Sequence, residues 1–109
     1  MTKRDLTFKA LRKATDKRRG DTYPKCKKWG YAEYCMATTG ELGELCNFLK
    51  KVSRGSLSMK DAKEDIKKEL ADTMIYLDML ASELGVDLDE AVREKFNEVS
   101  KKHNVKVFL

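Results

Sequence analysis

Four carboxylates stand in two pairs, Glu41-Leu42-Gly43-Glu44 and Glu69-Leu70-Ala71-Asp72. On a helix, a spacing of three puts both members of a pair on one face, with β-carbons roughly 5–6 Å apart. Carboxylates that close repel one another, and a cation held between them relieves the repulsion. Because 38% of the residues are charged, such pairs also arise on solvated helix faces, and spacing alone does not decide between the two. The donor type narrows the choice of cation. An all-oxygen set with no His or Cys nearby suits Mg²⁺, with Mn²⁺ as the alternative, better than zinc or iron. The single histidine, His103, lies far along the chain, and a di-iron bundle would need Glu-x-x-His repeats.

The elements that must position these groups follow from periodicity. A first amphipathic helix is predicted from Asp5 to about Lys17, with Leu6, Ala10, Leu11 and Ala14 on one face. A loop follows from Arg18 to Lys28, punctuated by Gly20 and Pro24. A second helix is expected over Tyr31 to Arg54. A third begins near Met59 behind the N-cap Ser58 and runs to Leu84, where Gly85 offers a left-handed stop. A fourth opens at the N-cap Asp87 and ends near Lys102. If helices two and three form an antiparallel hairpin about the Gly55-Ser56 connection, Glu44 and Glu69 each lie about 15 Å from the turn, and the two acidic pairs are level. The apolar stripe Tyr34, Thr38, Leu42, Leu45, Leu49, Val52 lies about 120° round from Glu44. The stripe Ile66, Leu70, Thr73, Leu77, Leu80, Leu84 is displaced from Asp72 by a similar angle. Packing through these stripes brings both acidic faces to one side of the pair. Gly40 and Gly43 each cost about 1 kcal/mol inside a helix. That cost leads us to expect a close approach of a neighbouring helix or a ligand there.

A hairpin that presents Glu-x-x-Glu and then Glu-x-x-Asp resembles the MazG-like, all-α nucleoside triphosphate pyrophosphohydrolases. The segments carrying the resemblance are Gly-Glu-Leu-Gly-Glu-Leu-Cys-Asn from Gly40, Lys50-Lys51, Glu-Leu-Ala-Asp-Thr-Met-Ile-Tyr from Glu69, and Glu-Lys-Phe-Asn-Glu-Val-Ser from Glu94. The chain departs from the family pattern at Lys101 to Asn104, which lacks the Arg-x-Gly often found after the last segment. The resemblance implies a four-helix bundle around a central antiparallel hairpin, assembled as a homodimer or homotetramer. It also implies Mg²⁺-dependent cleavage of a (deoxy)nucleoside triphosphate to the monophosphate and pyrophosphate. Glu41, Glu44, Glu69 and Asp72 would hold the metal, and Glu41 or Glu44 would orient the attacking water. Trp29, Lys51, Tyr76, Lys95 and Asn97 fall where such proteins contact substrate. Four of these five also have a plainer reading. Trp29 can anchor the helix start, Tyr76 can sit at the edge of the core, and the lysines can be solvated.

Length and composition bound the rest. A chain of 109 residues makes one domain, organised as a basic N-terminal helix and loop (1–30), catalytic helices (31–103) and a tail (104–109). No apolar run is long enough to span a membrane and no signal-peptide pattern is present, so a cytoplasmic protein is expected. Cys26, Cys35 and Cys46 are odd in number and lack metal-site spacing, and they read as reduced thiols. The net charge of +5 is uneven: residues 1–30 carry 11 Lys or Arg against 3 Asp or Glu. Such a basic segment can draw in a polyanionic substrate or bind nucleic acid without sequence preference. A non-catalytic nucleic-acid-binding module is therefore the rival from another class. A pyrophosphohydrolase for a different substrate, such as phosphoribosyl-ATP, is the rival within the same class.

Overall fold

Each helix starts and stops where local chemistry directs. Thr7 Oγ1 accepts from Ala10 N–H at 3.0 Å, so α1 begins at Phe8 and not at Asp5. The computed structural model describes residues 5–21 and 29–109. Within them are α1 (Phe8–Asp21), α2 (Tyr31–Ser53), α3 (Met59–Glu83) and α4 (Leu88–Lys102). The Glu33 carboxylate accepts from Gly30 N–H at the start of α2. Ser58 caps α3 through Asp61 N–H at 3.1 Å, and Asp87 caps α4 through Glu90 N–H at 3.3 Å. Helices α2, α3 and α4 end alike, with two backbone N–H groups turning back onto the last carbonyls and one residue at positive φ. These residues are Gly55 (φ 80°), Gly85 (φ 68°) and Asn104 (φ 55°). An asparagine tolerates the left-handed region, and its role as a stop was not anticipated.

The N-terminal helix differs from expectation. It runs on to Asp21, through Gly20, and the predicted loop therefore cannot begin at Arg18. Its tertiary partners explain the extension. Asp78 of α3 is buried, and its two oxygens take Arg12 Nε at 3.2 Å and Thr15 Oγ1 at 3.0 Å. Arg12 Nη2 also reaches the Val86 carbonyl at 2.8 Å, and Arg19 pairs with Glu83. A buried carboxylate is tolerated only when fully hydrogen-bonded, so this cluster fixes α1 on α3 through a polar face. The expected apolar stripe is displaced accordingly: Leu6 and Ala14 are exposed, while Thr15 is buried. The predicted loop residues Pro24, Lys25, Cys26, Lys27 and Lys28 lie outside the described residues.

The hairpin of α2 and α3 is the main body of the fold, with α1 against α3 and α4 against α1. Its core sits beside the turn, where Leu45, Ala62 and Ile66 are buried under Phe48, Val52 and Leu57. The tail after α4 is exposed and forms no strand.

Candidate metal centre and its aromatic flank

The seam of the hairpin does not follow the leucine stripes. On α2 the covered positions are Tyr34, Thr38, Glu41, Leu45, Phe48 and Val52; on α3 they are Ala62, Ile66, Glu69, Thr73, Tyr76 and Leu80. Leu42, Leu49, Leu70, Leu77 and Leu84, assigned to the seam from periodicity, are exposed instead. The helical wheel averaged two apolar faces into one stripe. One of those faces is covered within the chain and the other is not. Glu41 and Glu69 therefore occupy seam positions themselves, pointing between the helices and not beside them. The helix glycines also differ from expectation. A Cβ added at Gly40 or Gly43 would meet nothing within 4 Å, so neither marks a close helix approach within the chain.

Antiparallel pairing sets Glu41 level with Glu69, and oxygens of Glu41, Glu69 and Asp72 all lie within 4.8 Å of one another. Glu41 and Glu69 are half-buried, whereas Asp72 is exposed. Glu44 stands against Glu69 but outside this three-residue set. The ion pairs among the described residues, Arg12–Asp78, Arg19–Glu83 and Lys95–Glu98, leave all four carboxylates out. Nor do the seam hydroxyls serve them, because Thr38 and Thr73 donate to the backbone carbonyls of Tyr34 and Glu69.

With every carboxylate ionised, Glu69 Oε2 is shut off from solvent without a donor. A proton shared with Glu41 supplies one at lower pH, which is the main reason the Glu69 carboxyl titrates above its usual range. Desolvation adds to the shift. Glu44 is also raised, chiefly by the like charge of Glu69. An orphaned buried oxygen within a cluster of mutually repelling carboxylates fits a hard divalent cation, for which Glu41, Glu69 and Asp72 offer the ligands. Protonation is the other means of relief.

Aromatic rings flank this centre on the side away from the turn. Tyr34 lies one heptad before Glu41 and Tyr76 one heptad after Glu69, so the two are level across the seam. Trp29 meets Tyr34 edge-on at 5.4 Å between ring centroids and stacks on Tyr76 at 6.4 Å. Tyr34 is fully buried, while Trp29 and Tyr76 are half-buried. Two of the sequence-predicted substrate residues, Trp29 and Tyr76, thus come together beside the carboxylates. The other three do not join them. Lys51 is exposed about 10 Å further toward the turn than Glu44, on the opposite side from the rings. Lys95 is exposed on α4 and paired with Glu98 at 3.3 Å. Asn97 is the clearest departure: its amide is engaged twice by the backbone of Leu109, accepting from N–H at 2.8 Å and donating to C=O at 3.2 Å. Within one chain it holds the tail.

Sequence spacing does not reveal every residue of this region. Arg19, whose guanidinium lies 5.2 Å over the Tyr34 ring, comes from a different helix with no spacing to announce it. Tyr34 was assigned only to the apolar stripe. Its heptad relation to Glu41 was the available signal.

The protein is an all-α fold whose central hairpin carries a convergent carboxylate cluster in its seam. The family model for the MazG-like family matches residues 42–107, and the chain belongs to that family. The MazG-like family is generally one of pyrophosphohydrolases. Among curated proteins, the Gene 37 protein of Mycobacterium phage L5 is 31% identical over 72 residues, a stretch that covers 64% of this chain and 63% of the phage protein. No solved structure matches the chain significantly. No helix among the described residues is long and apolar enough to cross a membrane.

Proposed function

We propose that the protein is a divalent-metal-dependent nucleoside triphosphate pyrophosphohydrolase that cleaves between the α and β phosphates. The observation carrying this reading is the seam cluster, in which three carboxylates converge, one of them has an oxygen without a partner, and aromatic rings stand alongside. Glu41, Glu69 and Asp72 would hold Mg²⁺, or Mn²⁺ in its place. When bound, the ion neutralises charge on the phosphoryl oxygens and lowers the pKa of a coordinated water. Glu44, adjacent to the ligand set but outside it, would take the proton of the attacking water. Trp29 and Tyr76 offer faces to the base or sugar. They lie about 6–10 Å along the helices from Asp72 and Glu69, which suits a nucleoside whose phosphates sit at the metal.

The exposed leucines support a homo-oligomer. The chain exposes 8664 Å², against about 6,200 Å² for a compact monomer of its mass. Leu42, Leu49, Leu70 and Leu77 give the hairpin an outer apolar face that a second copy can cover. The rival nucleic-acid module is less well supported, because Arg12 of the basic segment is committed to the buried Asp78. Turnover of a panel of ribo- and deoxyribonucleoside triphosphates and phosphoribosyl-ATP, with and without Mg²⁺, is the direct test. Release of pyrophosphate only with metal is the expected result. Metal-independent retention of DNA with no turnover of any compound would replace this reading with the rival. Sedimentation of a Leu70→Glu, Leu77→Glu double variant tests the assembly, and a monomer is expected where the wild type is larger.

A further inference from the structure

Arg19 is the one cation in contact with the aromatic flank among the described residues, and its hydrogen bonding is incomplete. Its side chain is 21% exposed, its Nη2 lies 3.4 Å from Glu83 Oε2, and its Cζ stands 5.2 Å over the Tyr34 ring. Nη1 is buried and has no acceptor. A cationic donor taken out of water without a partner is costly, and a site that leaves one unfilled is complete only when a ligand brings the acceptor. The stack on Tyr34 holds the guanidinium in place without using its N–H groups.

The level of Arg19 along the hairpin indicates which part of a ligand it would meet. Tyr34 and Tyr76 are level with each other, and Glu83, the ion-pair partner of Arg19, is a further seven residues along α3. The guanidinium itself stands over Tyr34, about 10 Å along the helix from Glu41. It is therefore level with the Trp29 ring and not with the carboxylates. A base stacked on Trp29, at the opposite end of a nucleotide from its phosphates, would lie at this level. Resting on the nucleotide reading above, we propose that Arg19 is a specificity-determining residue whose Nη1 donates to a carbonyl oxygen on the edge of the base. Guanine and thymine carry an acceptor oxygen where adenine and cytosine carry an amino donor, and a guanidinium facing an amino group has donor against donor. The site thus favours keto over amino bases.

Trp29 is the only tryptophan in the chain, so its fluorescence reports on this site without a label. Monophosphates have no α–β anhydride to cleave and can be titrated in the presence of Mg²⁺. With dGMP, dTMP, dAMP and dCMP, wild-type protein is expected to bind each keto nucleotide about tenfold more tightly than its amino counterpart, the scale of one hydrogen bond from a charged donor. Arg19→Met should bring that ratio to within about twofold, and Arg19→Lys, with a single mobile ammonium, should restore it in part. The base ratio is the readout because a purely structural anchor would shift all four affinities together. The proposal is overturned if wild type shows no keto preference or if the ratio persists in Arg19→Met. Should Arg19→Met fail to fold, Arg19→Lys decides, and an unchanged ratio there overturns the proposal as well. Turnover of triphosphates with a base ratio indifferent to Arg19 would remove this assignment alone. Absence of both turnover and any Trp29 response to nucleotides would remove the hydrolase reading with it.

Discussion

Beside its turn, the seam of the hairpin is a small apolar core, and at mid-length it is an acidic cluster. The same two helices, packed at the same spacing, do opposite things at these two levels. Leu45, Ala62 and Ile66 leave water and stabilise the pairing. Glu41 and Glu69, three to four residues further from the turn on the same seam positions, oppose it through desolvation and mutual repulsion. A seam optimised for stability would carry leucine at both levels. The apolar stretch therefore holds the helices together against a cluster that a bound cation or a shared proton would relieve.

Breaking the acidic level should affect chemistry far more than folding. Glu41→Gln and Asp72→Asn keep side-chain shape but remove ligand charge, and each is expected to lower triphosphate turnover by at least about a hundredfold, the scale of losing a group that acts in the transition state. Thermal melting of the metal-free variants should be no lower than that of wild type, since each substitution relieves repulsion. Wild-type rates in both variants would show that the cluster is not the reacting centre.

Breaking the apolar level should do the reverse. Leu45→Ala opens a cavity under Phe48 and Val52 and is expected to cost about 2–5 kcal/mol by denaturant unfolding. Turnover per folded molecule at low temperature should be nearly unchanged. Leu42→Ala, three residues away, sharpens the contrast. Leu42 is 47% exposed in one chain, so any loss of stability there should depend on protein concentration, as expected of a face covered by a second copy.

The legibility of these features in the sequence varied with how local their causes are. The starts of α3 and α4 at Ser58 and Asp87 and the stop at Gly85 were readable, because each depends on a few consecutive residues. The level pairing of the carboxylates was readable as well, since it needs only the length of each helix from the turn. Which face forms the seam was not. Leu42 and Leu45 have the same hydrophobicity, and only the packing of the whole chain separates one from the other. Asp78 was unreadable for a related reason: an aspartate in a helix looks solvated until its partners, Arg12 and Thr15, arrive from more than sixty residues away. Likewise Asn97 matched a family segment, yet in this structure its amide is engaged by the last residue of the chain.

The smallest effect concerns protons at the acidic level. Glu69 and Glu44 are both raised above the usual value of 4.5, so the folded metal-free protein binds protons more tightly than the unfolded chain. Below 4.5 both states are protonated and the cluster carries no penalty. As the pH rises through the raised folded values, the unfolded chain releases its protons more readily, and the folded state loses stability. Metal-free wild type should therefore melt progressively lower, relative to Glu69→Gln, as the pH rises above 4.5 and through the raised folded values. Taking the difference between the two proteins cancels the changing charge of the rest of this basic chain. Saturating Mg²⁺ should abolish the trend in wild type, because the ion replaces the shared proton as the cluster's counter-charge, and should leave Glu69→Gln little changed. A difference that is flat with pH would mean that Glu41 and Glu69 do not share a proton in solution. The acidic level would then be an ordinary solvated face, and the contrast with the apolar level would reduce to one of exposure.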